Sequence, residues 1–163
     1  MTARISAVLV LAALAAGCGS DDDGSTDASP GAAKTSAADL AGTYERTLTR
    51  ADVERTDDLR DESAPGQGKP EPGPLKLALK DGTLTMTDVG AGVTIRQDFS
   101  ATSDGAFRIG AYQAPDQGSF CGPDVPQTAS YTWKQSGDAL GLTADQDECA
   151  DRDSSLTGEW QRR

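Results

Sequence analysis

Eight runs of residues between 42 and 162 alternate apolar with polar side chains at period two, and a chain patterned this way buries its apolar side as half-covered sheet. The cleanest is "LKLALK" (75–80), with Leu75, Leu77 and Leu79 opposed to Lys76, Ala78 and Lys80. "GTYERTLT" (42–49) sets Tyr44 and Leu48 against Thr43, Glu45 and Thr47. "TLTMT" (83–87) contributes Leu84 and Met86, "VTIRQDF" (93–99) Val93, Ile95 and Phe99, and "AFRIGAY" (106–112) Phe107 and Ile109. "SYTWK" (130–134) follows with Tyr131 and Trp133, "ALGLTA" (139–144) with Leu140 and Leu142, and "LTGEWQR" (156–162) with Leu156 and Trp160. These segments predict eight strands.

The connections predict how the strands are ordered. Strands two and three are joined by Asp81-Gly82, four and five by "SDG" (103–105), and six and seven by "SGD" (136–138), short hairpin turns in which glycine supplies positive φ. The remaining connections are 50–74, "VGAG" (89–92), 113–129 with Pro115, Pro123 and Pro126, and 145–155. In an up-and-down meander the odd connections share one end and the even ones the other, so every hairpin of this kind falls at the even end. Eight strands with one apolar face each close most economically into an antiparallel barrel, which removes exposed edges; a two-sheet sandwich fits the same pattern. In the long first connection, "TRADVERTDDLRDE" (49–62) predicts a short helix capped by Thr49, with Val53 and Leu59 as its apolar contacts. "APGQGKPEPGP" (64–74) then stops regular structure. Together they read as a lid over the odd end, or else as a disordered insert.

Ahead of the barrel, Arg4 is followed by an apolar run, Ile5 to Ala16, and by the small residues Ala15, Ala16 and Gly17 leading into Cys18. This is the three-part pattern of an export signal. The run covers about 18 Å as a helix against a hydrocarbon layer of roughly 30 Å, too short to span a bilayer. "LAAGC" (14–18) resembles a bacterial lipobox, with Ala15 where leucine is commonest. The resemblance implies that residues 1–17 are a signal peptide, that the Cys18 thiol carries a diacylglyceryl group, and that the mature chain begins there on the extracytoplasmic face of the cell membrane. The alternative is a plain cleaved signal with an incidental Cys18. Two acyl chains give stable anchoring where one is marginal. Residues 18–38, largely Gly, Ser, Thr, Asp and Ala, read as a flexible acidic tether with a reach of about 25 Å, leaving 39–163 as the barrel domain. Asp21, Asp22 and Asp23 belong to that solvated spacer rather than to a calcium site.

Composition narrows the chemistry. The formal charge is −11, and removing Arg4 with the signal takes it to −12, which repels phosphate backbones and anionic lipid heads and argues against nucleic-acid binding. The chain has 3 cysteines; with Cys18 acylated, Cys121 and Cys149 form an even pair in an oxidising compartment, which favours a disulfide. They sit in the fifth and seventh connections, both at the odd end. Closing that loop of about 29 residues is worth roughly 3 to 4 kcal/mol in the chain-entropy model. There is no histidine, so Ser-His and Cys-His nucleophile pairs are absent, a zinc site lacks ligands, and no cofactor is implied. The numerous carboxylates lie in loops or on the polar strand phase, so no enzyme is expected. "DQDECADRD" (145–153) has acids at alternate positions, but Cys149 replaces a ligand and the glycine and terminal glutamate of an EF-hand are missing. Asp151 and Arg152 are expected to cap and neutralise a short turn beside the disulfide.

With these residues in place, the chain resembles the calycin group, in particular the short lipocalin-like lipoproteins of bacteria. "LAGTYERTL" (40–48) is similar to that group's opening Gly-x-aromatic strand, with Tyr44 where tryptophan is usual, and the meander ends in "CADRDSSLTGEW" (149–160). The resemblance implies a membrane-anchored barrel whose open odd end takes a small apolar or amphipathic ligand, lined by Leu48, Met86, Tyr131 and Leu142. The competing expectation is a barrel filled by its own side chains, working as a surface module that contacts a protein or the cell envelope. An eight-stranded barrel is just wide enough for either.

Overall fold

The computed structural model describes residues 40–60, 69–112, 119–122 and 124–163. Cys18, the signal and tether segments 1–38, and residues 61–68 and 113–118 lie outside the described residues. The eight strands are β1 (Gly42–Leu48), β2 (Gly73–Lys80), β3 (Thr83–Asp88), β4 (Val93–Ala101), β5 (Ala106–Tyr112), β6 (Ala129–Ser136), β7 (Ala139–Gln146) and β8 (Gly158–Arg162). Each pairs antiparallel with its sequence neighbours, and β8 returns to β1, so the sheet is a closed eight-stranded up-and-down barrel. α1 (Arg50–Glu54) follows β1 and α2 (Ala150–Leu156) precedes β8.

The alternation seen in the sequence becomes the inside and outside of the wall. One course of the interior reads Tyr44, Leu77, Met86, Ile95, each directly opposite the next across a ladder. Trp133 faces Leu142, and Leu140 faces Trp160, completing the wall on the other side. All eight are buried in one continuous apolar cluster. Phe99 stacks on Phe107 at 5.3 Å between centroids, and Tyr131 meets Phe107 edge-on at 6.3 Å.

The even end is built as expected, with Gly82, Gly105 and Gly137 at φ 76°, 94° and 57° in its three turns. The third connection, 89–92, is also a tight turn, closed by the Gly92 amide donating to the Asp88 carbonyl at 2.9 Å, so short turns are not confined to that end. Val93 is 44% exposed at its tip rather than part of the interior. Pro74 belongs to β2 instead of ending structure: at the start of a strand its missing N–H costs little, and its carbonyl accepts from Val89. Thr49 does cap α1, through a capping box with Asp52, and Val53 is buried, but Leu59 is 43% exposed. Leu156 is the buried last residue of α2, not part of the eighth strand.

The seam between β1 and β8 is the shortest ladder, with Tyr44 opposite Arg162 and Glu45 opposite Gln161. Beyond it Arg46, on the inward phase of β1, fills the parting strands. Its guanidinium lies 5.6 Å from the Trp160 ring, donates to the Thr157 carbonyl, and pairs with Asp52 at 2.7 Å. Gly158 is required beside it: its φ is +134°, and a Cβ there would sit 2.9 Å from the Arg46 Cζ. Gly158→Ala is expected to cost about 2–3 kcal/mol, read as a lower urea midpoint. Arg46→Met in the same chain should recover the steric part of that loss and leave the backbone part.

Candidate functional site

Apart from Cys18, the predicted site residues lie toward the odd end, which is covered among the described residues. Cys121 and Cys149 are bonded to each other, with their Cα atoms 5.7 Å apart, as the connection parity predicted. The bond ties the loop after β5 to the residue that opens α2. Leu48, Met86, Tyr131 and Leu142 all face the common interior, at 1%, 4%, 1% and 2% exposure, packed into the core cluster. None of the four lines the surface clefts described below.

α2 is the plug. Its sequence, ADRDSSL, is largely polar, yet Arg152, Asp153, Ser154 and Ser155 are all buried. Arg152 is fully buried and grips the Asp147 carboxylate with two donors: Nε to Oδ2 at 2.9 Å and Nη2 to Oδ1 at 2.8 Å. Its remaining donors go to main-chain carbonyls of the loop entering β6, those of Gln127 at 2.8 Å, Pro126 at 3.0 Å and Thr128 at 3.2 Å. Asp147 also accepts from the Tyr131 hydroxyl and, at 2.8 Å, from the Cys149 amide. Burial pushes the Tyr131 phenol well above its ordinary pKa, and the Asp147 charge pushes the same way. Burial works against the Arg152 charge, but the hydrogen bonds and charge of Asp147 outweigh it and hold the guanidinium pKa above its usual value. Asp151 and Arg152 are therefore helical residues with long-range partners, not caps of a short turn.

Over α2 lies α1 with the 3-10 turn Asp57–Leu59, fastened mainly by charge. Arg55 pairs with Asp153 at 3.0 Å, and Arg60, itself buried, pairs with Asp151. Burial raises the Asp151 pKa against the pull of Arg60. The segment after β1 is thus an ordered cover in its described part.

Among the described residues the surface carries several open clefts. One of about 370 Å³ crosses β5, β6 and the end of β7, another of about 610 Å³ follows the β1/β8 seam, and a third of about 430 Å³ lies at the even end beside Ala41 and Phe99. Among the described residues no group of three His, Cys, Asp or Glu side chains is placed to hold a metal ion, and no helix is long and apolar enough to cross a membrane.

The plug escaped the sequence reading because Arg152 finds its partners 24 to 26 residues away, in carbonyls that have no signature. Arg46 and Gln97 did leave a signal, being polar residues on the inward phase of β1 and β4. Comparison with known proteins gives no match to a family model, a curated protein or a solved structure.

Removing one partner of a buried ion pair strands the other, so Arg152→Met is expected to cost about 3–5 kcal/mol, measured by urea unfolding of the oxidised protein. Arg152→Met combined with Asp147→Leu should cost less than the sum of the single changes. Asp52 gives a pH signature. Burial disfavours its charge, but the Thr49 amide and hydroxyl and the Arg46 guanidinium outweigh this and hold its pKa below the usual carboxylate value. Its contribution is therefore present above the unfolded pKa of about 3.9 and is lost as the pH falls through the lower folded value. Asp52→Asn should lower the urea midpoint at neutral pH, with the gap to the parent chain closing below about pH 4.

Proposed function

We propose that this chain is an extracytoplasmic lipoprotein, held on the cell membrane by a diacylglyceryl group at Cys18, whose filled lipocalin-like barrel acts by binding at its outer surface rather than by catalysis or by enclosing a ligand. The observation that carries the filled-barrel reading is the closure of the odd end. The residues expected to line a pocket are packed in the core, and the route to them is covered by α2, the disulfide and the Arg152 carbonyl clamp. A buried bidentate pair with three further acceptors is costly to open. The anchor reading draws on "LAAGC" (14–18) and on the acidic Gly/Ser-rich spacer behind it.

One observation favours an interior ligand instead. Gln97 is fully buried, and its Nε2 donates to the Gly110 and Gln127 carbonyls, which turns its Oε1 to a place with no partner among the described residues. A hydroxyl-bearing guest would satisfy it, as would one buried water.

Two measurements separate these readings. Native mass spectrometry of the detergent-extracted chain should show the covalent lipid and no non-covalent lipid, and a hydrophobic dye should not bind saturably; a retained non-covalent lipid or saturable dye binding overturns the filled barrel. Cys18→Ala should move the protein from the membrane to the aqueous fraction, and a variant that still sediments with membranes overturns the anchor.

A further inference from the structure

The cleft across β5, β6 and the end of β7 has a cause. β5 runs to Tyr112, but its ladder with β6 stops at Ile109 opposite Ala129. The chain before Ala129 leaves β5 because its carbonyls, from Pro126 to Thr128, are taken by Arg152. The space opened on the outer face is about 370 Å³, within the range of small-ligand sites.

Its lining is chemically specific. Arg108 stands on one side and Glu148 on the other, with Thr128 and Ser130 between them and the buried Ile109 and Ala129 beneath. Arg108, Ser130 and Gln146 are opposite one another across two successive ladders, so the Arg108 and Gln146 backbones are two strand spacings, about 10 Å, apart. Glu148 lies two residues past Gln146. Arg108 and Glu148 are both exposed, and neither has an ion-pair partner among the described residues, including each other. Elsewhere on this molecule an arginine is repeatedly matched to an aspartate: Arg46 with Asp52, Arg55 with Asp153, Arg60 with Asp151, Arg152 with Asp147. A free cation and a free anion on opposite rims of one cleft fit a molecule carrying both charges.

We propose that this cleft binds a small zwitterion of the amino-acid class, its carboxylate on Arg108 and its ammonium on Glu148. The proposal rests on the outer-surface reading given above and names the ligand chemistry of that surface. It does not depend on the anchor.

The test is titration of the full chain, followed by NMR chemical shifts, with L-leucine, N-acetyl-L-leucine, which keeps only the carboxylate, and L-leucine amide, which keeps only the ammonium. Leucine should bind most tightly, each derivative weaker by about fivefold, the upper end for an exposed ion pair. Arg108→Met should bring leucine down to the level of its amide, and Glu148→Gln down to that of the acetylated form. Both positions are exposed, so circular dichroism should show the fold unchanged in each variant. Equal binding of the three compounds, unaltered leucine binding in the variants, or no saturable binding overturns the zwitterion site. None of those results touches the dye and mass-spectrometric outcome, so failure of this site and failure of the filled barrel are read separately.

Discussion

A guanidinium with no access to water has to be matched donor by donor, and that requirement at Arg152 organises one whole end of the barrel. Asp147 supplies charge and two oxygens, but the fork has more donors than one carboxylate can accept, so the chain entering β6 turns its carbonyls inward. The consequences spread from there. α2 sits across the mouth, the disulfide next to it is held at bonding distance, Tyr131 finds an acceptor for its buried hydroxyl, and β6 separates early from β5. Interior closure and the outer cleft are two results of one electrostatic demand.

The opposite end solves its closure without buried charge pairs. There the turns are made by glycines in the left-handed region, and the Tyr44 hydroxyl, donating to the Leu40 carbonyl at 2.9 Å, folds the incoming chain back on the barrel. Arg162 lies 5.2 Å from the Tyr44 ring centre and donates to the same hydroxyl at 2.8 Å. Burial raises the Tyr44 pKa although Arg162 opposes it, so the phenol stays the donor its contact with Leu40 needs. Both β1's first residue and β8's last lie at this end, opposite the disulfide.

Sheet and order were legible because they are local. Alternation in "LKLALK" needs no partner to be read, glycine at Asp81-Gly82 announces its turn, and the cysteines obeyed the parity of the connections that hold them. What was not legible depends on volume or on distant partners. Leu48, Met86, Tyr131 and Leu142 were correctly placed facing inward, but whether the space between them is empty is set by summed side-chain volumes. α2 carries two aspartates and two serines and has no apolar stripe, so nothing in its own residues marks a helix; burial against the barrel makes it one. Leu156 looked like strand because it stands in phase with Trp160. The candidate cleft was invisible for the same reason as the plug: it exists where main-chain carbonyls are drawn elsewhere.

Seven of the eight ladders join strands consecutive in the chain, and one, β1 with β8, is made by two opposed pairs far apart in sequence, Tyr44 with Arg162 and Glu45 with Gln161. Hairpins can therefore accumulate along the chain at small entropic expense each, while the cylinder itself is completed only when its two terminal ribbons meet across the longest loop of all. Arg46, pairing with Asp52 of α1 and donating to the Thr157 carbonyl just past α2, is a fastener across that junction. An assembling chain that has not yet set this fastener keeps two raw strand edges open to solvent and to its neighbours.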